Sequence, residues 1–220
     1  MMTTPLIKTI PILPFGSLNA FLAIAHGRAM LVDTGLPGSE RKIGRALRAH
    51  GLDWSDVAST VLTHAHIDHA GGTADLSEAL DIPIEGPHEG DQFWITALPQ
   101  QSQMFGFPSV KSFTPNRWLN QGDVIDIGKE SLSVFHCPGH TPGHVVFYHE
   151  PSKLIAVGDV LFNGSIGRTD FPKGDYDTLL NSIRTHLWSL PDDVRFIPGH
   201  GPMSTIGHEK QTNPFVGGYG

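Results

Sequence analysis

The organisation of this chain follows from one run of ten residues, Thr63-His64-Ala65-His66-Ile67-Asp68-His69-Ala70-Gly71-Gly72. Four of its side chains, within six consecutive positions, can bind a metal ion. The preceding segment, Ala58–Thr63, is short, apolar and rich in β-branched residues, which predicts a buried strand. Gly72–Leu80 predicts a helix. The candidate ligands therefore lie where a strand ends and a helix begins, a position that α/β proteins use for chemistry.

The spacing within this run separates its candidate ligands into two pairs. Alternate residues of an extended segment point the same way, so His64 and His66 send their imidazoles in one direction. Asp68 and His69 follow where the backbone turns into the helix, and their side chains point elsewhere. Because one metal ion could not easily take all four groups, the run favours two metal ions side by side.

The composition indicates a globular protein with a net negative charge. The 220 residues suit one large domain or two small ones, and 39% hydrophobic with 17% charged residues exclude a disordered chain. A net charge of -7 argues against a general nucleic-acid or membrane-surface binder. A single cysteine fits a reducing compartment, and no signal peptide or membrane span is recognisable. We therefore expect a cytoplasmic protein without nucleic-acid or membrane partners.

Strand and helix patterns alternate along both halves of the chain. In the first half, the predicted strands are Leu6–Leu13, Asn19–His26, Ala29–Val32, Ala58–Thr63 and Ile82–Glu85, and the predicted helices are Ser39–His50 and Gly72–Leu80. In the second half, the predicted strands are Asp123–Gly128, Ser131–His136, Val145–His149, Lys153–Asp159 and a last one from Arg195, with a helix capped by Asp175. Two such halves predict two sheets packed face to face, with helices outside.

Residues 87–120 predict an irregular segment in which aromatic residues are interspersed with Gly and Pro. One interpretation of this segment is a flap or insertion that rims the candidate site. The other interpretation is a connection that packs on the surface and has a small apolar cluster of its own. The sequence leaves both interpretations open.

Three more candidate ligands follow other predicted strands: His140, Asp159 and His200. Each is bracketed by Gly or Pro, which lets the backbone and the side chain approach a shared centre. Together with the four groups of the first run, they make seven nitrogen and oxygen ligands at strand ends, with no cysteine among them. Such a set predicts a metal site.

Asp33, His144 and Cys137 lie near the predicted site but are not predicted to bind the metal. Asp33 ends a strand before Thr34-Gly35, which is typical of a turn residue that caps its own backbone. The alternative is a carboxylate that holds a ligating imidazole. His144 is expected to support a ligand or to form part of a turn. Cys137 has no plausible base among its neighbours, which predicts a small buried residue and not a nucleophile.

Two motifs carry a family resemblance: Thr-His-x-His-x-Asp-His-x-Gly-Gly at 63–72 and Pro-Gly-His-Thr-Pro-Gly-His at 138–144. Together they resemble glyoxalase II (hydroxyacylglutathione hydrolase), a group with the metallo-β-lactamase fold. Gly167–Phe171, Phe196–Glu209 and Asn213-Pro214-Phe215 are similar to the short bacterial members of that group. The resemblance covers essentially the whole chain. It implies an α/β four-layer αββα sandwich of two mixed sheets, as a single domain over residues 1–220.

The resemblance also assigns seven residues to two divalent metal ions. One ion would be held by His64, His66 and His140. The other ion would be held by Asp68, His69 and His200. Asp159 would bridge the two ions together with a water molecule or hydroxide. Zinc is the favoured metal because imidazoles dominate the set, and iron or manganese is the alternative because the second group contains a carboxylate.

The reaction that the resemblance implies is hydrolysis of a small thioester of the S-lactoylglutathione type. A hydroxide bridging the two ions would attack the acyl carbon, while a metal ion polarises the carbonyl oxygen. Asp68 and Asp159 are the catalytic carboxylates, of which Asp68 would orient the nucleophile. A thiolate leaves without needing a protonated general acid, which suits a sequence that offers no obvious separate acid.

Arg168 is the candidate substrate-binding residue, because it matches a basic residue near the glutathione glycine in the larger family. It could equally pair with Asp170 and fix the loop. Asp170 stands where that family has a tyrosine. Only 20 residues follow His200, so the C-terminal helical domain that helps to bind glutathione in that family is not expected here. Both departures predict weak selectivity for glutathione.

Two other activities are alternatives to the thioesterase. A lactonase of the same fold shares the motif His-x-His-x-Asp-His-x-Gly-Gly. A persulfide (sulfur) dioxygenase, which uses one iron ion and oxygen, is similar at Gly167–Phe171, whereas Gly71-Gly72 favours the hydrolase. β-Lactamase activity is not expected without an export signal. The expected partner is a small-molecule substrate, and the sequence does not determine the oligomeric state.

Overall fold

The structure is a computed structural model, and it describes residues 20–218. The strands are β1 (Phe21–Ala25), β2 (Arg28–Val32), β3 (Val57–Val61), β4 (Ile84–Glu85), β5 (Val124–Ile127), β6 (Glu130–His136), β7 (Val145–His149), β8 (Leu154–Gly158), β9 (Leu161–Phe162), β10 (Ser165–Ile166), β11 (Arg195–Pro198) and β12 (Ser204–Thr205). The helices are α1 (Glu40–Ala49), α2 (Ile67–Ala70), α3 (Thr73–Leu80), α4 (Gln92–Thr96), α5 (Leu98–Phe105), α6 (Tyr176–Ser182) and α7 (Ile206–Thr212). The strand predicted over Leu6–Leu13 lies outside the described residues.

The strands form two mixed sheets and a small hairpin. The first sheet has the order β1-β2-β3-β4, in which β1 and β2 are antiparallel and the other neighbours are parallel. The second sheet has the order β12-β11-β8-β7-β6-β5, in which only β11 and β8 are parallel. The pair β9 and β10 forms a separate hairpin. Both sheets are therefore mixed, as the resemblance implies.

The main core lies between the two sheets. Met30 and Val32 of β2 pack there against residues of the second sheet such as Val134 and Phe147. The alternate residues of β2, Ala29 and Leu31, point to the opposite face of the first sheet. This alternation follows from the two-residue period of a strand, and β2 is apolar on both faces because both faces are covered.

Helices cover the outer face of each sheet. Ile43 and Leu47 of α1 and Leu76 of α3 pack on the first sheet. Leu179 of α6 and Ile206 of α7 belong to the cluster on the outer face of the second sheet. The predicted four-layer αββα sandwich is thus confirmed, whereas the single-domain boundary of 1–220 stays a prediction. Within residues 20–218, no helix combines the length and the apolar character that crossing a membrane requires.

The helix predicted at Gly72–Leu80 begins earlier and in two pieces. α2 starts at Ile67, inside the run of candidate ligands, and α3 resumes at Thr73. A Cβ at Gly71 would lie 2.4 Å from the carbonyl oxygen of Ile67 and 2.7 Å from Cδ of Pro37. Glycine at this position therefore lets the loop at Pro37 approach the junction between the two helices.

Residues 87–120 are not irregular throughout, so this prediction was wrong. The segment contains α4 and α5, and Trp94, Ile95 and Leu98 pack against Leu62 and Ile67 in one apolar cluster. The helices are too short to show a clear 3.6-residue period in sequence, and each gains its stability from packing. The segment is a packed connection, and it also borders the candidate site, because the Trp94 ring lies 4.5 Å from the His66 ring.

The carboxylate of Glu130 in β6 connects the two sheets. His26, in the turn between β1 and β2, donates to it over 3.2 Å, and His149 of β7 donates over 3.0 Å. Hydrogen bonds from His149 and then from His26 lower the pKa of Glu130. A carboxylate with a lowered folded pKa stabilises the protein above its unfolded pKa, and this contribution is lost as the pH falls through the folded pKa.

Replacing Glu130 with glutamine is therefore expected to lower the Tm near neutral pH. The difference from the unaltered protein should shrink as the pH falls below the ordinary glutamate value of 4.5. Thermal unfolding followed by circular dichroism at about pH 7 and about pH 3.5 measures both differences. The exposed Glu150 is the control, since its replacement with glutamine should leave Tm unchanged. A Tm difference that is constant with pH would contradict the expectation.

Candidate metal centre

Four loops at one edge of the sandwich carry the seven candidate ligands. The run after β3 carries four of them, and the turn between β6 and β7 carries His140. Asp159 follows β8, and His200 follows β11. Because β8 and β11 are parallel neighbours, their carboxyl ends meet at the same edge of the second sheet and bring Asp159 and His200 together.

The first ligand group consists of His64, His66 and His140. One ligand atom of each residue lies within 4.8 Å of those of the others, and all three side chains are buried. Nδ1 of His66 lies 3.0 Å from Nε2 of His140. Two imidazole nitrogens on one tetrahedral zinc ion would be about 3.3 Å apart, so this spacing fits a shared ion.

The second ligand group consists of Asp68, His69 and His200, and it faces the solvent. Its ligand atoms also lie within 4.8 Å of one another. Nε2 of His200 is 3.2 Å from Oδ2 of Asp68, and Nε2 of His69 is 3.9 Å from the same oxygen. The side chains of His200 and Asp68 are 31% and 33% exposed, whereas that of His69 is fully buried. A substrate can therefore approach the centre from the side of the second group.

Asp159 lies between the two groups and contacts both. Its Oδ1 is 3.3 Å from Nε2 of His69, and its Oδ2 is 3.5 Å from Nε2 of His200, so it reaches the second group with both oxygens. Oδ2 also lies 3.6 Å from Nε2 of His140 in the first group. The structure thus brings all seven predicted ligands together, with one nearly buried carboxylate at the centre.

Asp33 fixes the orientation of two histidines from behind. Its Oδ2 lies 2.7 Å from Nδ1 of His69 and accepts from the Thr63 hydroxyl over 2.7 Å. Because that hydroxyl donates its proton to Asp33, it accepts a hydrogen bond from Nδ1 of His64 over 3.1 Å. Both imidazoles therefore carry a proton on Nδ1 and direct Nε2 toward the centre. Of the two interpretations of Asp33, the structure supports the carboxylate that holds a ligating imidazole.

The donor atoms fit metal ions. Nδ1 of His140 donates to the Arg168 carbonyl oxygen over 2.7 Å, which leaves its Nε2 lone pair free as well. Among the described residues, Nε2 of His64 is buried and has no hydrogen-bond partner. A buried polar atom without a partner is costly, and a cation bound there would remove that cost. The chemistry of the donors, imidazole nitrogen and carboxylate oxygen without sulfur, suits zinc, iron or manganese.

Comparison with known proteins identifies the family. The model of the metallo-β-lactamase superfamily matches residues 13–200. The chain belongs to the metallo-β-lactamase superfamily. It is 42% identical over 211 residues to hydroxyacylglutathione hydrolase GloC from Haemophilus influenzae, covering 96% of this chain and 97% of that protein. This superfamily membership and the histidine–aspartate cluster support a metal-dependent hydrolase.

Two solved structures of the superfamily superpose closely on this chain. The BLEG-1 B3 metallo-β-lactamase gives a TM-score of 0.83 at 34% identity, covering 96% of this chain and 99% of that chain. TTHA1623, in a di-iron-bound form, gives a TM-score of 0.82 at 35% identity, covering 96% of this chain and 100% of that chain. Both similarities extend over nearly the whole chain and agree with the fold.

Burial keeps the first ligand group neutral. It lowers the pKa of His66 to about 3, and it holds the pKa of His64 well below its ordinary value. Burial also lowers the pKa of His140. A neutral imidazole offers a lone pair to a metal ion, so these three residues are poised to bind one without first losing a proton.

Asp68 and Asp159 favour the protonated form of the histidines in the second group. Burial would lower the pKa of His200, but the carboxylates of Asp159 and Asp68 raise it to about 9. Against the same burial, Asp159 and Asp68 hold the pKa of His69 well above its ordinary value. Burial works against ionisation of Asp159, yet His69 and His200 keep its pKa well below the usual range. Positive charge is therefore strongly favoured at the second ligand group.

Arg168 lies beside the centre and pairs with its neighbour. Its guanidinium donates twice to the Asp170 carboxylate, over 2.6 Å each. It also lies 4.1 Å from the centre of the Phe171 ring, which contacts the His66 ring at 5.0 Å. The predicted structural pairing is thus observed, whereas contact with a substrate stays a prediction.

His144 and Cys137 are buried residues that support the centre without belonging to either group. Nε2 of His144 accepts from the Asp159 backbone N–H over 3.0 Å, and its ring stacks on that of His64 at 4.7 Å. His144 is thus a support, as expected. Burial raises the pKa of the Cys137 thiol, which keeps it protonated and agrees with a packing role. The sequence prediction missed the supporting roles of Asp91 and Gln101, because a polar residue in a seemingly irregular segment gives no sign of burial.

Gln101 supports the ligand-bearing run from α5. Its Oε1 accepts from the Ile67 backbone N–H over 3.0 Å, and its Nε2 donates to the Trp94 carbonyl oxygen over 3.1 Å. The side chain is buried, and both of its polar ends are satisfied. It therefore fixes the start of α2, where the chain turns between the two ligand groups.

Proposed function

We propose that this protein is a binuclear metal-dependent hydrolase of small thioesters of the S-lactoylglutathione type. The observation that carries the proposal is the position of Asp159, whose two oxygens reach ligands of both groups. Two complete groups that share one carboxylate are the arrangement that a two-metal hydrolase needs. The similarity to GloC, whose name assigns it hydroxyacylglutathione hydrolysis, directs the proposal to thioesters.

The two ligand groups would each hold one divalent ion, with Asp159 between them. Zinc is the first choice because five of the seven ligands are imidazoles, and iron or manganese would also suit the donors. When bound, the ions would lower the pKa of a shared water molecule and polarise the acyl carbonyl group. The chain itself supplies the orientation of the donors and the charge that surrounds them.

The residues of the chain divide the remaining work. Asp68 lies on the open side of the centre and carries an ionised carboxylate, whose pKa His69 and His200 lower against the effect of burial. It can therefore accept a hydrogen bond from the attacking water molecule and orient it toward the acyl carbon. The leaving thiolate needs no proton, so a thioester can be cleaved without a general acid at the opposite face.

Arg168 would contact an anionic part of the substrate at the rim of the centre. Its pair with Asp170 is exposed on both sides, and an exposed ion pair contributes little to stability. A carboxylate of the substrate can therefore replace Asp170 at low cost. Since Asp170 competes for the guanidinium, we propose weak selectivity for glutathione over other anionic thiols.

A panel of substrates with parallel metal analysis tests the proposed function. We expect hydrolysis of S-lactoylglutathione and of other small thioesters, with close to two metal ions per chain. The panel should also contain glutathione persulfide with oxygen uptake, a lactone, and a β-lactam, because one of the similar structures is named as a β-lactamase. One iron per chain with persulfide oxidation would refute the proposal. Thioester turnover confined to glutathione esters would refute only the weak selectivity.

The persulfide dioxygenase is the second candidate function, and the loop Gly167–Phe171 favours it. The loop resembles that of the dioxygenases, and its Arg168 carbonyl oxygen accepts the hydrogen bond from His140. A single iron ion would use the first ligand group, whose histidines are all buried. We further propose a cytoplasmic location and a small-molecule substrate, without nucleic-acid or membrane partners.

A further inference from the structure

Asp91 is a buried carboxylate that belongs to neither ligand group. Its side chain is fully buried, and it accepts three hydrogen bonds. Its Oδ2 accepts from the Ala65 backbone N–H over 3.0 Å and from the Thr141 hydroxyl over 2.9 Å. Its Oδ1 accepts from the Gly143 backbone N–H over 2.6 Å. One carboxylate thus joins two segments that are distant in sequence, the run after β3 and the turn after His140.

The three donors flank the histidines of the first ligand group. Ala65 separates the two histidines that come from the run after β3, and Thr141 directly follows the third. We propose that Asp91 is a positioning residue for the first ligand group, which fixes the His64–His66 segment relative to the turn at His140. It would act through backbone and hydroxyl groups, without touching the metal ion.

Close backbone packing delivers Asp91 to this position. The His88 backbone N–H donates to the Gly143 carbonyl oxygen over 3.0 Å, so the turn before α4 is hydrogen-bonded to the turn after His140. A Cβ at Gly143 would lie 2.4 Å from the Asp91 nitrogen, and a Cβ at Gly90 would lie 2.8 Å from the Pro142 carbonyl oxygen. The two turns therefore approach each other at glycines, and Asp91 can reach between the ligand-bearing segments.

Asp33 supports a ligand of the second group directly, and it supports a ligand of the first group only through the Thr63 hydroxyl. Asp33 holds His69 through Nδ1 and holds the start of the run through Thr63. The hydrogen bonds described for Asp91 all go to segments that carry the first group. Loss of Asp91 should therefore weaken one metal site more than the other. This inference rests on the proposed two-metal centre and is independent of the substrate.

Asparagine at position 91 is the sharpest substitution, because it keeps the size of the side chain. An amide has one acceptor oxygen, and its NH2 group would face a donor where the carboxylate accepts. Supporting residues of this kind typically change metal affinity about 10–100-fold, and we expect a loss of that size at the first group of D91N. The free zinc concentration can be buffered between the dissociation constant of the first group in the unaltered protein and that in D91N. Under this condition, D91N should hold about one zinc ion where the unaltered protein holds two.

Glu209 offers a matched control, because none of its hydrogen-bond partners is a candidate ligand or the sequence neighbour of one. Its carboxylate is also fully buried and also accepts three hydrogen bonds, from the Gly164 backbone N–H, the Ser204 hydroxyl and the Asn213 amide. Glu209→Gln should therefore lower Tm as D91N does, but it should leave zinc content and zinc affinity unchanged. Circular dichroism of both variants checks that they are folded.

Two further backgrounds identify which site is affected. In His200→Ala, where the second group lacks a ligand, D91N should release the remaining zinc 10–100-fold more readily. In His66→Ala, where the first group is already impaired, D91N should add little. Equal losses in both backgrounds, or equal zinc affinity in D91N and E209Q, would overturn the inference. A single zinc ion in the unaltered protein would refute the two-metal proposal, whereas the affinity of that ion in D91N and E209Q would still test Asp91.

Discussion

Replacing Asp159 with alanine is expected to reduce kcat by more than about 100-fold, which exceeds the usual effect of losing a supporting residue. The reason is the position of its carboxylate, which reaches His69, His140 and His200 over 3.3–3.6 Å. Without it, the two ligand groups share no donor, and His69, His140 and His200 each lose a nearby negative charge. Metal content should fall below two ions per chain together with the activity.

The fold of the Asp159→Ala variant should persist, because the residue follows β8 and is outside every strand. Its backbone N–H still donates to His144, and no apolar core contact is removed. Steady-state kinetics, metal analysis and circular dichroism of the same preparation separate these effects. Asp193→Ala is the control, since Asp193 is an exposed carboxylate that pairs with Lys153. Full activity of the Asp159 variant with two bound ions would refute the assigned bridge.

The fold could be predicted from the sequence because the candidate ligands follow the ends of recognisable strands. His140, Asp159 and His200 each follow a short apolar segment, and the structure places those segments as β6, β8 and β11. β8 and β11 are parallel neighbours, and β6 runs in the same direction as β8 because both are antiparallel to β7, so these strand ends meet at one edge of the sheet. Their role as ligands stays a prediction, whereas their proximity is a property of the structure.

The supporting residues could not be predicted, because their roles depend on tertiary contacts. Asp91 precedes a short helix in a segment without clear periodicity, and nothing local shows that its carboxylate is buried. Asp33 has a left-handed backbone with φ of 59°, so the turn interpretation was reasonable. In the folded protein, the run after β3 lies beside Asp33. The Asp33 carboxylate then also accepts hydrogen bonds from Thr63 and His69, which the sequence alone does not show.

Buried carboxylates explain how an acidic protein can build a centre for cations. Asp33, Asp91 and Asp159 are all nearly or fully buried within a chain of net charge -7. Each accepts hydrogen bonds or contacts imidazoles from more than one loop. A negative charge removed from water is stabilised only by such partners or by bound cations. Through these contacts, the three carboxylates hold the loops of the centre together.

Asp33→Ala is expected to lower the free energy of unfolding of the metal-free protein by about 3–5 kcal/mol, the usual cost of removing one partner from a buried charged network. The Thr63 backbone N–H and Nδ1–H of His69 would both lose their acceptor while remaining buried. The Thr63 hydroxyl would lose its acceptor as well, because Nδ1 of His64 is a donor to it. Alanine also tolerates the left-handed backbone of position 33 less well than aspartate does.

Denaturant unfolding with a chelator present isolates this stability effect from metal binding. Asp53→Ala is the matched control, because Asp53 also accepts from a backbone N–H and a hydroxyl, both of Ser55, but is exposed. As an exposed helix cap, it should lower the free energy of unfolding by clearly less than Asp33→Ala does. Asp33→Asn should fall between the two, since it keeps one acceptor and suits a left-handed backbone. If Asp33→Ala cost no more than Asp53→Ala, the donors would have found water, and Asp33 could not be what orients His64 and His69.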